Sequence, residues 1–343
     1  MAARKFNLAV VGATGAVGRE MIKTLAERRF PVAELRALAS ERSLGHLLEF
    51  GDREISVDVL GPDSFAGIEI ALFSAGGSVS KEYAPIAAKA GAVVVDNTSA
   101  FRMDPEVPLV VPEVNPAALA DWQKRRIIAN PNCSTIQMVV ALKPIHDVVP
   151  IRRIIVSTYQ AVSGAGQRGI HELEQQVRDL FNLREVKREL FPHRIAFNVI
   201  PCIPQSNAFG EADQTTEEWK MINETHKILD PAIQVAATCV RVPVFNGHSE
   251  AVYVELERPL PAAEARELLR QAPGVAVVDD PPTMVFPTPF DASGEDLTLV
   301  GRVRNDPSNP NGLWLFVVAD NLRKGAALNA VQIAEVMAAK YLV

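Results

Sequence analysis

The stretch NPNCSTIQMVVALKP, Asn130 to Pro144, sets a cysteine between an asparagine and two hydroxyl residues, at the head of an apolar run. Ile136, Val139, Val140 and Leu142 recur at helical spacing. Pro131 ends the strand expected before them, and Asn132 is of the type that caps a helix. Cys133 is therefore expected at a helix N-terminus, where unpaired backbone N–H groups favour an anion, lower a thiol's pKa and suit a developing oxyanion. Taken alone, the window fits a small buried hydrophobe at a helix start equally well.

A reactive thiol needs an acid-base partner. The candidates are His46, His146, His171, His193, His226 and His248, and most belong to surfaces or structural contacts. His248 differs, because RVPVFNGHSEAVYVEL places it after a glycine in a break between two strands, where catalytic groups sit on a rigid scaffold.

A second chemistry-bearing segment lies at the amino end. NLAVVGATGAVGREMIKTL reads as strand, glycine loop and helix, with Gly12, Gly15 and Gly18 three residues apart. Glycines let the backbone approach a pyrophosphate, and the following helix N-terminus stabilises its charge. The pattern is looser than G-x-G-x-x-G, and a helix-start turn needing small residues is the plain alternative. Beyond the second strand, LASERS offers Ser40, Arg42 and Ser43 in place of the carboxylate that grips the ribose in NAD enzymes. Serines and an arginine suit a 2′-phosphate, which favours NADP over NAD, although Glu41 weighs against it.

These residues need a scaffold, and the first third of the chain supplies one. The β-like runs FNLAVVG, LRALAS, IEIALFSAGG, AVVVDNTS and RRIIAN alternate with helical segments, which implies a parallel, doubly wound sheet. From about Arg152 the texture becomes strand-rich, with RRIIVSTYQAVSG, QVAATCVRVPV, SEAVYVELERPL and LWLFVVADNL around a helical GIHELEQQVRDLF. A second domain of α+β type is expected there. The closing GAALNAVQIAEVMAAKYLV places Leu328, Val331, Ala334, Ala338 and Leu342 on one helix face, suited to packing on the first domain.

Composition bounds the rest. At 343 residues and 48% hydrophobic, the chain is long enough for two domains. A net charge of -6 without a dense basic run argues against nucleic acid. No apolar stretch approaches the roughly 18 residues of a membrane span, and the amino end lacks a cleavable leader pattern. A cytoplasmic protein is the expectation. Cys133, Cys202 and Cys239 are too scattered for a disulfide framework or a zinc site, HELEQQ lacks a second histidine, and no metal is expected.

Collected in order, GATGAVG, SAGGSVS, NTSAFRM, ANPNCSTIQM, STYQAVSGAG, EEWK, CVRVPVFNGHSE and DNLRKGAALNAVQIAE resemble the aspartate-semialdehyde dehydrogenase family over essentially the whole chain. The resemblance implies a Rossmann-type doubly wound NADP-binding domain over 1–130, with a helix at about 323–343 returning to it. It further implies an α+β catalytic and dimerisation domain over 131–322, like that of glyceraldehyde-phosphate dehydrogenase. Homodimers or homotetramers are the family's assemblies.

By the same resemblance Cys133 is the nucleophile, His248 the acid-base catalyst, Gln160 the residue that orients the acyl group, and Asn132 a holder of the oxyanion. Arg241 matches the clamp on the substrate α-carboxylate, Glu217 and Lys220 meet the amino group and phosphate, and Arg102 is a second phosphate position. Gly12, Thr14, Gly15, Ala16, Val17 and Gly18 would hold NADP, with Ser40, Arg42 and Ser43 near its 2′-phosphate, and Ser163, Gly164 and Asn321 near the nicotinamide. The implied reaction is reduction of L-4-aspartyl phosphate to L-aspartate 4-semialdehyde through a cysteine thioester, on the route to lysine, methionine and threonine. The rival readings are an N-acetyl-γ-glutamyl-phosphate reductase and a non-catalytic NADP-binding paralogue. Glu217, suited to a free amino group, and the asparagine before Cys133 speak for the aspartyl substrate.

Overall fold

FNLAVV, IALF and VVVD are apolar at nearly every position, as parallel strands covered on both faces must be. In chain order the first elements are β1 (Phe6–Val11), α1 (Ala16–Glu27), β2 (Val32–Ala39), β3 (Leu47–Phe50), β4 (Arg53–Val59), β5 (Ile70–Phe73), α2 (Gly77–Lys89), β6 (Val93–Asp96) and β7 (Ile127–Ala129). They form a seven-stranded sheet of order β3-β4-β2-β1-β5-β6-β7, parallel except for the β3/β4 hairpin. The order reverses direction between β1 and β5, the topological switch point at whose carboxyl ends sheets of this kind bind ligands, and the glycine loop follows β1 there. The structure, a computed structural model, describes residues 4–203, 209, 210 and 213–342.

The next elements are α3 (Cys133–Val148), β8 (Ile151–Gln160), α4 (Gln167–Phe181), α5 (Thr216–Ile228), β9 (Gln234–Arg241), β10 (His248–Leu256), α6 (Ala262–Gln271), β11 (Val275–Val277), α7 (Pro289–Ala292), β12 (Thr298–Asp306) and β13 (Asn309–Ala319). Six strands build a mixed sheet of order β11-β12-β13-β10-β8-β9, in which β8 and β9 run parallel and β10 antiparallel to β8. A π turn, Arg323–Ala327, leads into α8 (Leu328–Lys340). The chain thus divides into two compact units, one running to Asn132 and resumed at Ala326, the other Cys133–Gly325.

In the first unit Leu8, Val10, Ile70, Leu72, Val93 and Val95 pack with Met21, Ile22 and Leu25 of α1 and with Val331, Ala334 and Met337 of α8. Ala338 and Leu342 lie partly buried against the same core. Four strands that the alternation of apolar runs does not announce are β3, β4, β11 and β12. The β3/β4 hairpin turns at Gly51, with φ 64°, and its residues are mostly exposed, so it carries little hydrophobic signal. No helix among the described residues is long and apolar enough to cross a membrane.

Candidate active site

Helix α3 begins at Cys133, directly after the Pro131-Asn132 break that ends the preceding extended segment. The cysteine occupies the first helical position, where N–H groups outnumber their intrahelical acceptors, and its side chain is partly accessible. Gly325 passes so close that a Cβ there would lie 2.8 Å from the Cβ of Cys133. Only glycine fits that approach.

The sheet of the second unit delivers the other candidates to one end. Gln160 closes β8 and Arg241 closes β9, paired in parallel register, while His248 opens the antiparallel β10 opposite Ala319. All three side chains are buried. Ala161, the first residue past β8, ties two of them together: its N–H donates to His248 Nδ1 at 3.0 Å, and its carbonyl accepts from Arg241 Nη1 at 2.7 Å. Nδ1 is thus an acceptor, so the neutral ring carries its proton on Nε2. Nε2 is buried and has no hydrogen-bond partner. Burial, joined by the charge of Arg241 and opposed by Glu217, pushes His248 down to about 3, which keeps it neutral over the working pH range.

Arg241 is desolvated in turn, and burial lowers its pKa against the attraction of Glu217 and Cys133. Those influences place the guanidinium within electrostatic reach of both residues. Gly164 seals the group: a Cβ there would stand 3.0 Å from Arg241 Nη1 and 3.2 Å from His248 Nε2. Gln160 is held by its amide, which donates to Thr158 Oγ1 at 3.2 Å.

Glu217 and Lys220 come from the first turn and a half of α5. Thr215 and Glu218 form a reciprocal capping box that fixes the start of this helix. Glu218 also accepts the Cys239 amide at 3.1 Å, which anchors α5 to β9 two residues before Arg241. On the buried side of the helix, Lys220 Nζ donates to Glu217 Oε2 at 2.9 Å. Ser163 and Asn321 meet in a polar cluster: Asn321 Nδ2 donates to Ser163 Oγ at 2.9 Å, and Asn321 Oδ1 accepts the Gly247 amide at 2.9 Å.

In the first unit the glycine loop is held by contact. A Cβ at Gly12, where φ is 84°, would lie 2.5 Å from the Ser74 carbonyl oxygen, and one at Gly18 would lie 2.1 Å from the Gly12 carbonyl oxygen. Gly15 occupies the N-cap position of α1 with no side-chain cap, and the first turn, which contains Ala16 and Val17, carries no acid. A helix N-terminus left in that state fits a pyrophosphate. Thr14 Oγ1 lies 3.2 Å from Ser43 Oγ, so the turn after β2 meets the glycine loop, while Ser40 and Arg42 are exposed beside it. Arg102, Asn130 and Asn132 also belong to this unit and are buried. Arg102 donates through Nε to the Asn130 carbonyl and through Nη2 to the Asn97 carbonyl, both at 2.9 Å.

Several supporting residues were not singled out by sequence. The amides of Asn97, Asn130 and Asn329 form a chain, with Asn130 Nδ2 donating to Asn97 Oδ1 and Asn329 Nδ2 to Asn130 Oδ1, each at 2.6 Å. Asn246 accepts from Ser163 Oγ at 3.1 Å and donates to Asp320 Oδ2 at 2.8 Å. Its place two residues before His248 was the available signal. Ala161 acts through its backbone, for which side-chain chemistry gives no sign.

Comparison with known proteins adds a family. The description "Semialdehyde dehydrogenase, NAD binding domain" matches residues 7–122, and "Semialdehyde dehydrogenase, dimerisation domain" matches residues 142–324. An aspartate-semialdehyde dehydrogenase of Aquifex aeolicus is 55% identical over 98% of this chain and 99% of its own. The solved structure of aspartate semialdehyde dehydrogenase II from Vibrio cholerae, complexed with ASA, is 53% identical with a TM-score of 0.96, covering 99% of this chain and 100% of that one. A Candida albicans aspartate semialdehyde dehydrogenase solved with NADP is 25% identical with a TM-score of 0.74, over 99% of this chain and 100% of that one.

Proposed function

The chain belongs to the aspartate-semialdehyde dehydrogenase family, and from that premise we propose that it converts L-4-aspartyl phosphate to L-aspartate 4-semialdehyde with NADPH, reversibly, through a thioester on Cys133. The observation that carries the reading is the buried, unpartnered Nε2–H of His248 in the unit that also holds Cys133 at a helix start and Arg241 within its electrostatic reach.

Cys133 Sγ attacks the acyl carbon, and phosphate leaves with the electron pair of the broken C–O bond. Bound NADPH supplies the hydride that the thioester accepts far more readily than a carboxylate would. Collapse of the resulting alkoxide releases the aldehyde and returns Cys133 as thiolate. His248 Nε2–H donates a hydrogen bond to the oxyanion in each tetrahedral state and stabilises its charge as it forms and collapses, with the α3 N-terminus and Asn132 assisting. Gln160 orients the acyl group. Arg241 clamps the α-carboxylate, Glu217 takes the amino group, and Lys220 and Arg102 take phosphate.

The residues that would hold the cofactor are Gly12, Thr14, Gly15, Ala16, Val17 and Gly18 around the start of α1, with Ser40, Arg42 and Ser43 toward a 2′-phosphate and Ser163, Gly164 and Asn321 toward the nicotinamide. The assignment divides the chain into an NADP-binding domain, 1–130 with the return helix, and a catalytic and dimerisation domain, 131–322. It carries with it a cytoplasmic location and a homodimer, the homodimer supported by the dimerisation-domain match.

The test is NADP reduction followed with aspartate semialdehyde or N-acetylglutamate semialdehyde, with and without phosphate. Phosphate-dependent reduction of NADP with the first alone is expected. Activity with the second alone would transfer the assignment to the acetylated substrate.

A further inference from the structure

Below the row of Gln160, Arg241 and His248 lies a second buried row, one pleat deeper in the same sheet. Cys239 of β9 pairs with Thr158 of β8, Thr158 with Glu250 of β10, and Glu250 with Val317 of β13. Glu250 stands two residues after His248 on the same strand, so both point to the same face. It is completely buried, and neither carboxyl oxygen has a hydrogen-bond partner. The group facing it is the side-chain amide of Gln137, one turn into α3 from Cys133. Gln137 Oε1 is buried and unpartnered as well, while its Nε2 points to the His248 carbonyl at 3.4 Å and the Val317 carbonyl at 3.5 Å.

The Glu250 carboxyl and Gln137 Oε1 are neighbouring buried groups without a partner, and one proton on Glu250 satisfies both. A protonated Glu250 has an O–H that can donate to Gln137 Oε1, leaving Gln137 Nε2 for the His248 carbonyl. We propose that Glu250 is a positioning residue of this site: as a carboxylic acid it hydrogen-bonds Gln137 and fixes the helix that begins at Cys133 to the strand that begins at His248. The inference rests on the roles given to those two residues above.

The surroundings favour the acid form. Gln137 from α3, Thr158 from β8, Val317 from β13, Cys239 from β9 and His248 on its own strand face Glu250 or lie next in the row. None is charged at neutral pH: burial pushes the Cys239 thiol up, chiefly, and His248 down to about 3. Burial likewise pushes Glu250 well above its ordinary 4.5, against the Gln137 amide. The folded protein then holds a proton that the unfolded chain releases above 4.5, so this position costs stability as pH rises from there toward the folded pKa.

The experiment compares Glu250→Gln, Glu250→Leu and Gln137→Leu with the wild type. Glu250→Leu and Gln137→Leu should each lower kcat by about ten- to a hundredfold with KM nearly unchanged, and Glu250→Gln should restore kcat to within about threefold. A Glu250→Leu enzyme with wild-type kcat, or a Glu250→Gln enzyme as impaired as Glu250→Leu, would overturn the proposal. Melting curves across pH supply a second readout, valid even where Glu250→Leu fails to fold. The Tm of wild type should fall relative to Glu250→Gln as pH rises above 4.5, whereas parallel curves would overturn the neutral acid. Because melting needs no substrate, it decides on Glu250 independently of the aldehyde assignment.

Discussion

The Ala161 amide donates to His248 Nδ1 at 3.0 Å, and this one contact decides what the imidazole can do. With Nδ1 occupied as an acceptor, the neutral ring presents Nε2–H, a donor suited to an oxyanion. The same residue's carbonyl holds Arg241 at 2.7 Å, so one peptide segment positions both side chains, proposed above as oxyanion donor and carboxylate clamp.

His248→Asn removes that donor. On the scale of a lost oxyanion-hole hydrogen bond, kcat should fall by about a hundred- to a thousandfold while KM changes little. Steady-state kinetics with aspartate semialdehyde check this, and a large KM effect with intact kcat would assign His248 to binding.

The same ring makes stability depend on pH. Its folded pKa is about 3 against an ordinary 6.5, so between these values the unfolded chain binds a proton that the folded one refuses. The stabilising contribution is therefore complete above 6.5 and is lost as pH falls toward 3. The Tm of wild type should drop relative to His248→Asn over that window, as calorimetry at stepped pH would record.

Gly164→Ala places a methyl group 3.0 Å from Arg241 Nη1 and 3.2 Å from His248 Nε2. Arg241 is held by Ala161 and cannot swing aside freely. We expect kcat/KM to fall by about tenfold or more through misplacement of both groups. Unchanged kinetics would show that the pair can relax.

Gly18→Ala brings a Cβ to 2.1 Å from the Gly12 carbonyl oxygen, a backbone atom that moves only with the whole loop. Titration calorimetry should show NADP binding lost or weakened by at least about tenfold, along with a lower Tm. Arg42→Ala, at an exposed position, should instead weaken NADP while leaving NAD affinity unchanged.

Much of the fold and the positions of the candidate residues were legible in the sequence because those residues sit where chain geometry changes abruptly. Gly12, Gly15 and Gly18 mark a strand-to-helix turn, Asn132-Cys133 a helix start, and Gly247-His248 the entry to a strand. The parallel strands announced themselves through runs such as VVVD, buried at every position. What stayed hidden depends on cross-strand register, which residue types do not encode. Glu250 reads as an ordinary strand glutamate until pairing with Thr158 and Val317 puts it in the core. Ala161 was invisible because it contributes only its peptide group, and the β3/β4 hairpin because its exposed faces leave little apolar pattern.

The central claim, that Cys133 becomes an acyl thioester, is tested most directly by omitting phosphate. Mixed with aspartate semialdehyde and NADP alone, the enzyme should release a burst of one NADPH per site and then stall, with intact-mass and peptide analysis locating an acyl adduct on Cys133. Neither burst nor adduct, in enzyme that turns over normally once phosphate is added, would contradict the thioester.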